Sequence, residues 1–208
     1  MSNYTHIFLD FDETIYNHHA YVEWLSGYLE NIGLSPRKDL KESFDQYHVK
    51  IAPNLRLYNH RKHLKDVLNQ EWEYFSAEIE KEISNQNVDF CYDDSHEALM
   101  RLHEEKKDFR ILTFGNSEYQ YFKIRTCQVI NYLKIPVHIV HEPKGDFIRK
   151  HFGDRRIKGI LVDDKYPIDV PNNWIHYWVN RQVDNQDLKD NQVEFKGRSL
   201  KDVVEDIL

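Results

Sequence analysis

The chain has 208 residues, a mass of 25.2 kDa and a formal net charge of −7. This length suits one domain, or one domain with a modest insertion, and it is enough to bury a core without disulfides or metals. The acidic balance argues against binding a nucleic acid polymer, and two cysteines are too few for a disulfide framework or a multi-cysteine zinc site.

The first residues show no basic stretch followed by an apolar core, so we expect no signal peptide. No apolar run approaches the length of a membrane span. The sequence therefore predicts a cytoplasmic protein with no membrane partner, present as a monomer or a homodimer.

The first apolar run, at residues 6–9, predicts a buried strand, and the stretch that follows it contains no convincing strand pattern. Apolar residues recur there at helical spacing, as in Tyr21, Leu25, Tyr28, Leu29 and Ile32, then Leu57, Leu64, Val67, Leu68 and Trp72, then Trp72, Phe75 and Ile79. We therefore predict an α-helical cap subdomain over residues 17–92. An insertion after the first strand would lie over the carboxyl end of the sheet, where such folds bind ligands.

Strand and helix patterns alternate after this insertion. Near-continuous apolar runs at residues 110–112 and 159–162 predict strands buried on both faces, and residues 136–140 and 174–179 are further strand candidates. A helix is predicted over residues 117–130, and a last one begins at Ser199 with Leu200, Val203, Val204 and Ile207 on one face. The alternation predicts a doubly wound, mostly parallel, Rossmann-like α/β sheet, with a core domain formed by residues 1–16 and 93–208.

Polar side chains stand where three of these predicted strands end. Asp10 and Asp12 follow the first strand, Thr113 ends the second, and Asp163 with Asp164 ends the fourth. Because the carboxyl ends of parallel strands share one edge of a sheet, these side chains should converge on one crevice. Clustered carboxylates repel one another unless a cation lies among them, and Mg²⁺ is the cation that best suits an all-oxygen set completed by a phosphate. Zinc fits less well, because no His or Cys belongs to the set.

The same residues suggest phosphate chemistry. One of Asp10 and Asp12 could attack phosphorus while the other holds a proton for the leaving group, with Phe11 pointing back into the core. Lys144, which follows the third strand, could offset the repulsion between an anionic nucleophile and an anionic phosphate. The Thr113 hydroxyl and the backbone N–H groups beyond it could donate to the phosphoryl oxygens.

The ordered set of Asp10-Phe11-Asp12-Glu13-Thr14, Thr113, Lys144 and Asp163-Asp164 resembles the motifs of the haloacid dehalogenase-like hydrolase superfamily. The resemblance spans residues 6–164 and includes the helical cap that many members carry after the first strand. It implies that Asp10 is the nucleophile, passing through an aspartyl-phosphate, and that Asp12 is the general acid and then the base. It further implies that Thr113 binds the phosphoryl group with the amides of Phe114 and Gly115, and that Lys144 holds nucleophile and phosphate together. Mg²⁺ would be held by Asp10, the Asp12 backbone carbonyl, Asp163 and Asp164, the last directly or through water.

Two positions depart from the usual family pattern. Glu13 stands where many members have Gly, and Lys144 precedes Gly where the more frequent family order has Pro after the Lys. Lys123 is the rival for the role of Lys144, but the predicted helix places it two turns from any strand end.

The resemblance implies a Mg²⁺-dependent phosphomonoester hydrolase acting on a small phosphorylated metabolite, such as a nucleotide monophosphate or a sugar phosphate. Members that cleave carbon–halogen bonds lack an acid at the position of Asp12, so phosphate chemistry is favoured over dehalogenation. Two alternatives stay open at this stage: a phosphotransferase or mutase of the same family, and a catalytically inactive binding or regulatory module with this fold.

Overall fold

The computed structural model describes residues 4–34, 42–52, 55–181 and 196–208. The chain divides into two compact units, one formed by residues 1–17, 91–114 and 129–208 and the other by residues 18–90 and 115–128. This division differs from the predicted one, because residues 115–128 group with the insertion and not with the α/β core. Within the described residues, no helix combines the length and the apolar character needed to cross a membrane.

The first unit is built on a six-stranded sheet in which every pair of neighbouring strands is parallel. Its strands are β1 (His6–Leu9), β4 (Phe109–Phe114), β5 (Val137–Val140), β6 (Gly159–Asp163), β7 (Trp174–Val179) and β8 (Lys196–Gly197). The spatial order is β5-β4-β1-β6-β7-β8, so β1 lies between β4 and β6. The predicted α/β fold class is therefore confirmed.

The described part of the first unit also contains four helices, each of which buries apolar side chains. They are α4 (Asp93–Glu104), α6 (Gln128–Leu133), α7 (Lys144–Phe152) and α8 (Leu200–Ile207). Ile148 of α7 joins Phe8, Leu112, Leu161 and Trp174 in a core cluster on one face of the sheet. Helix α8 begins as predicted, with Ser199 and Asp202 forming a reciprocal capping box, and its four apolar residues named above are all buried.

The second unit contains helices α1 (His18–Asn31), α2 (His60–Leu68), α3 (Trp72–Asn85) and α5 (Ser117–Arg125), and a short 3-10 helix (Phe44–Tyr47). Its core combines aliphatic and aromatic side chains: Trp72 packs edge-on against Phe122, and Tyr21 packs against both Phe122 and Phe90. Through Phe122, helix α5 belongs to this core, which explains why residues 115–128 do not group with the sheet.

The prediction that residues 17–92 are purely helical is wrong. Strands β2 (His48–Ala52) and β3 (Leu55–Tyr58) form an antiparallel pair within the second unit. Each run is only four or five residues long and alternates apolar with polar side chains, which is typical of a half-exposed hairpin. Leu57, a member of the predicted helical stripe, lies in β3 and pairs with Val49 of β2.

The helix predicted over residues 117–130 is two helices, α5 and α6. Helix α5 is capped by Asn116, since its side chain accepts hydrogen bonds from the amides of Glu118 and Tyr119. It ends at Thr126, whose hydroxyl donates to the carbonyl of Lys123 and so satisfies a backbone group of the last turn. The two cysteines, Cys91 in the first unit and Cys127 in the second, are buried and neither is a free thiol.

Candidate active site

The adjacent strands β1 and β6 place Asp10 and Asp163 side by side in the first unit. Leu9 pairs with Val162 in the parallel ladder, and the amide of Asp10 donates to the carbonyl of Val162 over 2.8 Å. Asp10 and Asp163 are each the next residue along, so both carboxylates emerge at the carboxyl edge of the sheet, as the sequence predicted. Asp10 is 3% exposed and Asp163 is fully buried.

Asp164 completes a group of three carboxylates. One oxygen from each of Asp10, Asp163 and Asp164 lies within 4.8 Å of the others. Two neighbouring donors hold this arrangement: the Lys165 amide donates to Asp163 over 2.9 Å, and the Trp178 indole donates to the Asp164 carbonyl over 2.9 Å.

Lys144 contacts two of these carboxylates. Its Nζ atom lies 2.5 Å from Asp10 Oδ1 and 2.5 Å from Asp163 Oδ2. Lys144 is the first residue of α7, directly after the cap residue Pro143, so its position is set by the start of that helix. The following residue must be Gly, because a Cβ at Gly145 would overlap the backbone carbonyl of Asp169.

Burial and neighbouring charges shift the pKa values of three members of this group. Burial raises the pKa of Asp10, and the neighbouring Asp163 raises it further. Burial, with Asp10 and Asp163, raises the pKa of Asp164 to about 8. Burial by itself lowers the pKa of the Lys144 ammonium, but the attraction of Asp10 and Asp163 outweighs this and leaves the pKa raised. Lys144 contacts two of the three carboxylates, and the pKa values of Asp10 and Asp164 are both raised, so a further cation would favour the ionised forms of these two groups.

The donor set fits the Mg²⁺ ion that the sequence predicts. Oδ1 of Asp164 is buried and accepts no hydrogen bond from any described residue. Two buried carboxylates and one half-buried carboxylate, with an unused oxygen on Asp164 and no His or Cys in the group, have the hard oxygen character that Mg²⁺ requires.

Asp12 lies in a tight turn that begins at Asp10. The amide of Phe11 donates to Asp10 Oδ1 over 2.7 Å, and the amides of Ile15 and Tyr16 both donate to the Phe11 carbonyl. Phe11 is fully buried and stacks on Tyr16, so its side chain points into the core as expected. Asp12, the next residue, is half-buried, and its carboxylate is not one of the three grouped above.

The predicted phosphate-binding residues divide between the two units. Thr113 is fully buried near the carboxyl end of β4, which neighbours β1, and Phe114 ends that strand half-buried. Gly115 is the first residue of the segment that groups with the second unit. Thr113 and Phe114 therefore share a unit with Asp10, while Gly115 stands at the point where the chain leaves it.

The two candidate lysines are clearly separated by the structure. Lys144 contacts Asp10, as described. Lys123 belongs to α5 of the second unit, where it is buried with its ammonium 4.9 Å from the centre of the Tyr119 ring. The geometry thus favours Lys144 as the lysine of the carboxylate group.

Sequence reasoning missed one residue beside this site. Arg181, just after β7, donates to the backbone carbonyls of Glu13 and Thr14 in the turn that carries Asp12. Glu13 and Thr14 precede Arg181 by 168 and 167 positions in the sequence, respectively. No local sequence pattern indicates so distant a contact.

Comparisons with known proteins were made by family, by sequence and by structure. No protein-family model matches the chain, and no curated protein matches it. Solved structures do match. A protein from Burkholderia xenovorans LB400 named as a haloacid dehalogenase-like hydrolase is 17% identical, with a TM-score of 0.65 over 97% of this chain and 96% of that one. The HAD-hydrolase YfnB from Bacillus subtilis, in a structure with bound magnesium, is 15% identical, with a TM-score of 0.61 over 99% of both chains.

The chain has the haloacid dehalogenase-like fold. An L-2-haloacid dehalogenase from Xanthobacter autotrophicus, in a structure with covalently bound chloropropionic acid, also shares this fold, at 11% identity and a TM-score of 0.55 over 97% of both chains. The haloacid dehalogenase-like fold of this chain is thus shared by a protein named as a dehalogenase and by a hydrolase whose structure contains magnesium. What the chain itself does must be argued from its own site residues.

Proposed function

We propose that the protein is a Mg²⁺-dependent phosphomonoester hydrolase that acts on a small phosphorylated metabolite through an aspartyl-phosphate on Asp10. The observation that carries the proposal is the group of Asp10, Asp163 and Asp164, of which Asp10 and Asp163 are buried and in contact with Lys144. Such a group is costly to bury for stability alone, because desolvation opposes each charge, so a catalytic use is its best explanation.

In this proposal Asp10 is the attacking group. Lys144 lies 2.5 Å from Asp10 Oδ1 and would draw the transferring phosphoryl group towards the same carboxylate. Mg²⁺, held by Asp10, Asp163, Asp164 and the Asp12 backbone carbonyl, would supply positive charge that offsets the repulsion between carboxylate and phosphate. Thr113 and the backbone amides of Phe114 and Gly115 would donate to the phosphoryl oxygens.

Asp12 would carry the proton. It would donate to the leaving-group oxygen while the Asp10 oxygen–phosphorus bond forms, and it would then accept a proton from the water that hydrolyses the aspartyl-phosphate. This use of Asp12 separates the proposal from dehalogenation, in which the leaving halide needs no proton. A nucleotide monophosphate or a sugar phosphate is the substrate class that we propose.

The nucleophile can be tested by substitution. Asp10→Asn should lower the hydrolysis of an aryl phosphate by at least about a thousandfold, because an amide cannot form the acyl-phosphate. Asp108→Asn is a matched control, since Asp108 is a half-exposed carboxylate of the same unit paired with Arg110. Circular dichroism should show both variants folded, and undiminished turnover by Asp10→Asn would remove Asp10 from the nucleophile role.

The metal can be tested without an activity measurement. Mg²⁺ should raise the melting temperature of the wild-type protein, because an ion that binds only the folded state stabilises it by mass action. The rise should be lost or greatly reduced in Asp164→Asn. An equal rise in both proteins would show that Mg²⁺ does not bind the three-carboxylate group.

Product analysis separates hydrolysis from phosphoryl transfer. Prompt release of inorganic phosphate in water, unchanged in yield when an alcohol acceptor is added, supports the hydrolase. Transfer of the phosphoryl group to the alcohol as the main product would favour a phosphotransferase or mutase.

A further inference from the structure

Arg181 makes an unusual set of contacts with the turn that follows Asp10. Its side chain is only 14% exposed. Nη2 donates to the carbonyl of Thr14 over 2.7 Å, and Nε donates to the carbonyl of Glu13 over 3.2 Å. One guanidinium group therefore satisfies two consecutive backbone carbonyls of the turn.

The guanidinium group is itself held on its other sides. Asp94 accepts from Nη1 over 2.8 Å and from Nη2 over 3.1 Å, and the ring of Tyr92 lies 3.8 Å from the Arg181 Cζ atom. The Asp94 carboxylate also accepts a hydrogen bond of 2.7 Å from the backbone amide of Leu200, at the start of α8. A planar donor fixed in this way can hold a partner with little further loss of conformational entropy.

The turn needs such support because of Glu13. Its φ is 58°, in the left-handed region that a residue with a side chain enters at a cost of about 1–3 kcal/mol. Two contacts act on this residue from outside the turn: Arg181 on its carbonyl, and the Tyr92 hydroxyl, which donates to the Glu13 carboxylate over 2.7 Å. The strained conformation is thus stabilised by side chains from two distant segments.

Asp12 is the residue immediately before this clamped pair. On its other side, Asp10 is fixed to β6 through the hydrogen bond from its amide to the Val162 carbonyl. The backbone of Asp12 is therefore held between an anchor at Asp10 and an anchor at Glu13 and Thr14. Loss of Arg181 would remove two of the hydrogen bonds that hold the backbone directly after Asp12, while the hydrogen bonds within the turn would remain.

We propose that Arg181 is a positioning residue for proton transfer by Asp12, acting through the carbonyls of Glu13 and Thr14. The proposal rests on the proposed function, in which Asp12 protonates the leaving group. A displaced general acid slows the reaction most when the leaving group is a poor one, because a good leaving group departs without a proton. Substrates with different leaving groups therefore test the role directly.

The experiment measures kcat/KM for an alkyl phosphate and for p-nitrophenyl phosphate in wild type, Arg181→Met and Asp12→Asn. This parameter reports the step in which the leaving group departs. Asp12→Asn should lose much more activity on the alkyl phosphate than on the aryl phosphate. Arg181→Met should show the same imbalance, with an alkyl-to-aryl ratio of kcat/KM at least about tenfold below that of wild type.

Tyr92→Phe keeps the test informative if Arg181→Met folds poorly, and Arg156→Met is the control. Tyr92→Phe keeps the ring beneath the guanidinium group and removes only the hydrogen bond to Glu13, so a smaller imbalance of the same sign is expected. Arg156→Met removes a fully solvated arginine paired with Asp154 and should leave the ratio unchanged.

The outcomes are distinct. If wild type hydrolyses neither phosphate, the proposed function is wrong, and the role of Arg181 that rests on it is wrong as well. If wild type and Asp12→Asn behave as expected, but Arg181→Met keeps the wild-type ratio or loses both activities equally, Arg181 supports the fold without positioning Asp12.

Discussion

Removal of the Lys144 ammonium should destabilise the folded protein as well as inactivate it. Nζ lies 2.5 Å from one oxygen of Asp10 and 2.5 Å from one oxygen of Asp163, and the side chain is 8% exposed. At an effective dielectric constant of about 20, each contact is worth about 7 kcal/mol before desolvation is subtracted. Breaking a buried ion pair by removing one partner typically costs about 3–5 kcal/mol net, because the other charge stays buried without compensation.

We therefore expect Lys144→Met to lower the free energy of unfolding by about 3–5 kcal/mol at pH 7 in the presence of a chelator. Met keeps most of the apolar stem, so the loss reports the charge. The assay is equilibrium denaturation by urea followed by circular dichroism. Mg²⁺ should stabilise the variant at least as much as it stabilises wild type, because a dication can neutralise the same carboxylates.

Lys150→Met is the matched control for this substitution. Lys150 lies on the same helix, α7, but it is 65% exposed, and the acid with which it pairs, Glu142, is 3.9 Å away. Its removal should cost less than about 1 kcal/mol. If Lys144→Met unfolds at the same urea concentration as Lys150→Met, the reasoning about an unbalanced buried carboxylate group is refuted.

Two further predictions concern packing and pH. Gly145→Ala should cost about 1–3 kcal/mol of stability and lower activity, because the added Cβ overlaps the Asp169 carbonyl and displaces the neighbouring Lys144; an unchanged melting temperature would contradict this. Burial lowers the pKa of His63 to about 4, from an ordinary 6.5, so the unfolded chain binds a proton where the folded one does not. The contribution of neutral His63 to the free energy of unfolding should be fully present above pH 6.5. It should be lost as the pH falls towards 4, and the loss should be at most about 3 kcal/mol. Denaturation curves of His63→Gln across this range should show a weaker pH dependence than wild type, and parallel curves would contradict the assignment.

The α/β sheet and the carboxylate group could be predicted because both follow from local sequence. A near-continuous apolar run indicates a strand buried on both faces, and an acid directly after such a run must lie at the carboxyl edge of the sheet. Asp10 and Asp163 are brought together by nothing more than this rule and the neighbouring positions of β1 and β6. The placement of Lys144 follows in the same way, since it begins the helix after β5.

The second unit was harder to predict because its structure depends on tertiary contacts. The β2–β3 hairpin consists of two short alternating runs, and Leu57 fits a helical stripe equally well by spacing. Helix α5 looks like the crossover helix after β4, and only the packing of Phe122 against Trp72 and Tyr21 shows that it groups with the insertion. Neither choice can be made from the spacing of apolar residues alone.

The departure of Glu13 from the family pattern has a structural consequence. The resemblance leads one to expect Gly at this position in many members, and the observed φ of 58° gives the physical reason, because Gly alone adopts such an angle without steric cost. A side chain at this position must be stabilised from outside the turn. In this chain the Glu13 carboxylate accepts a hydrogen bond from the Tyr92 hydroxyl, and the Glu13 carbonyl accepts one from Arg181. The side chain that makes the φ angle of Glu13 unfavourable therefore also makes one of the contacts that stabilise it. It follows that Glu13 and Arg181 should be energetically coupled, with Arg181→Met costing less stability in a Glu13→Gly background than in wild type.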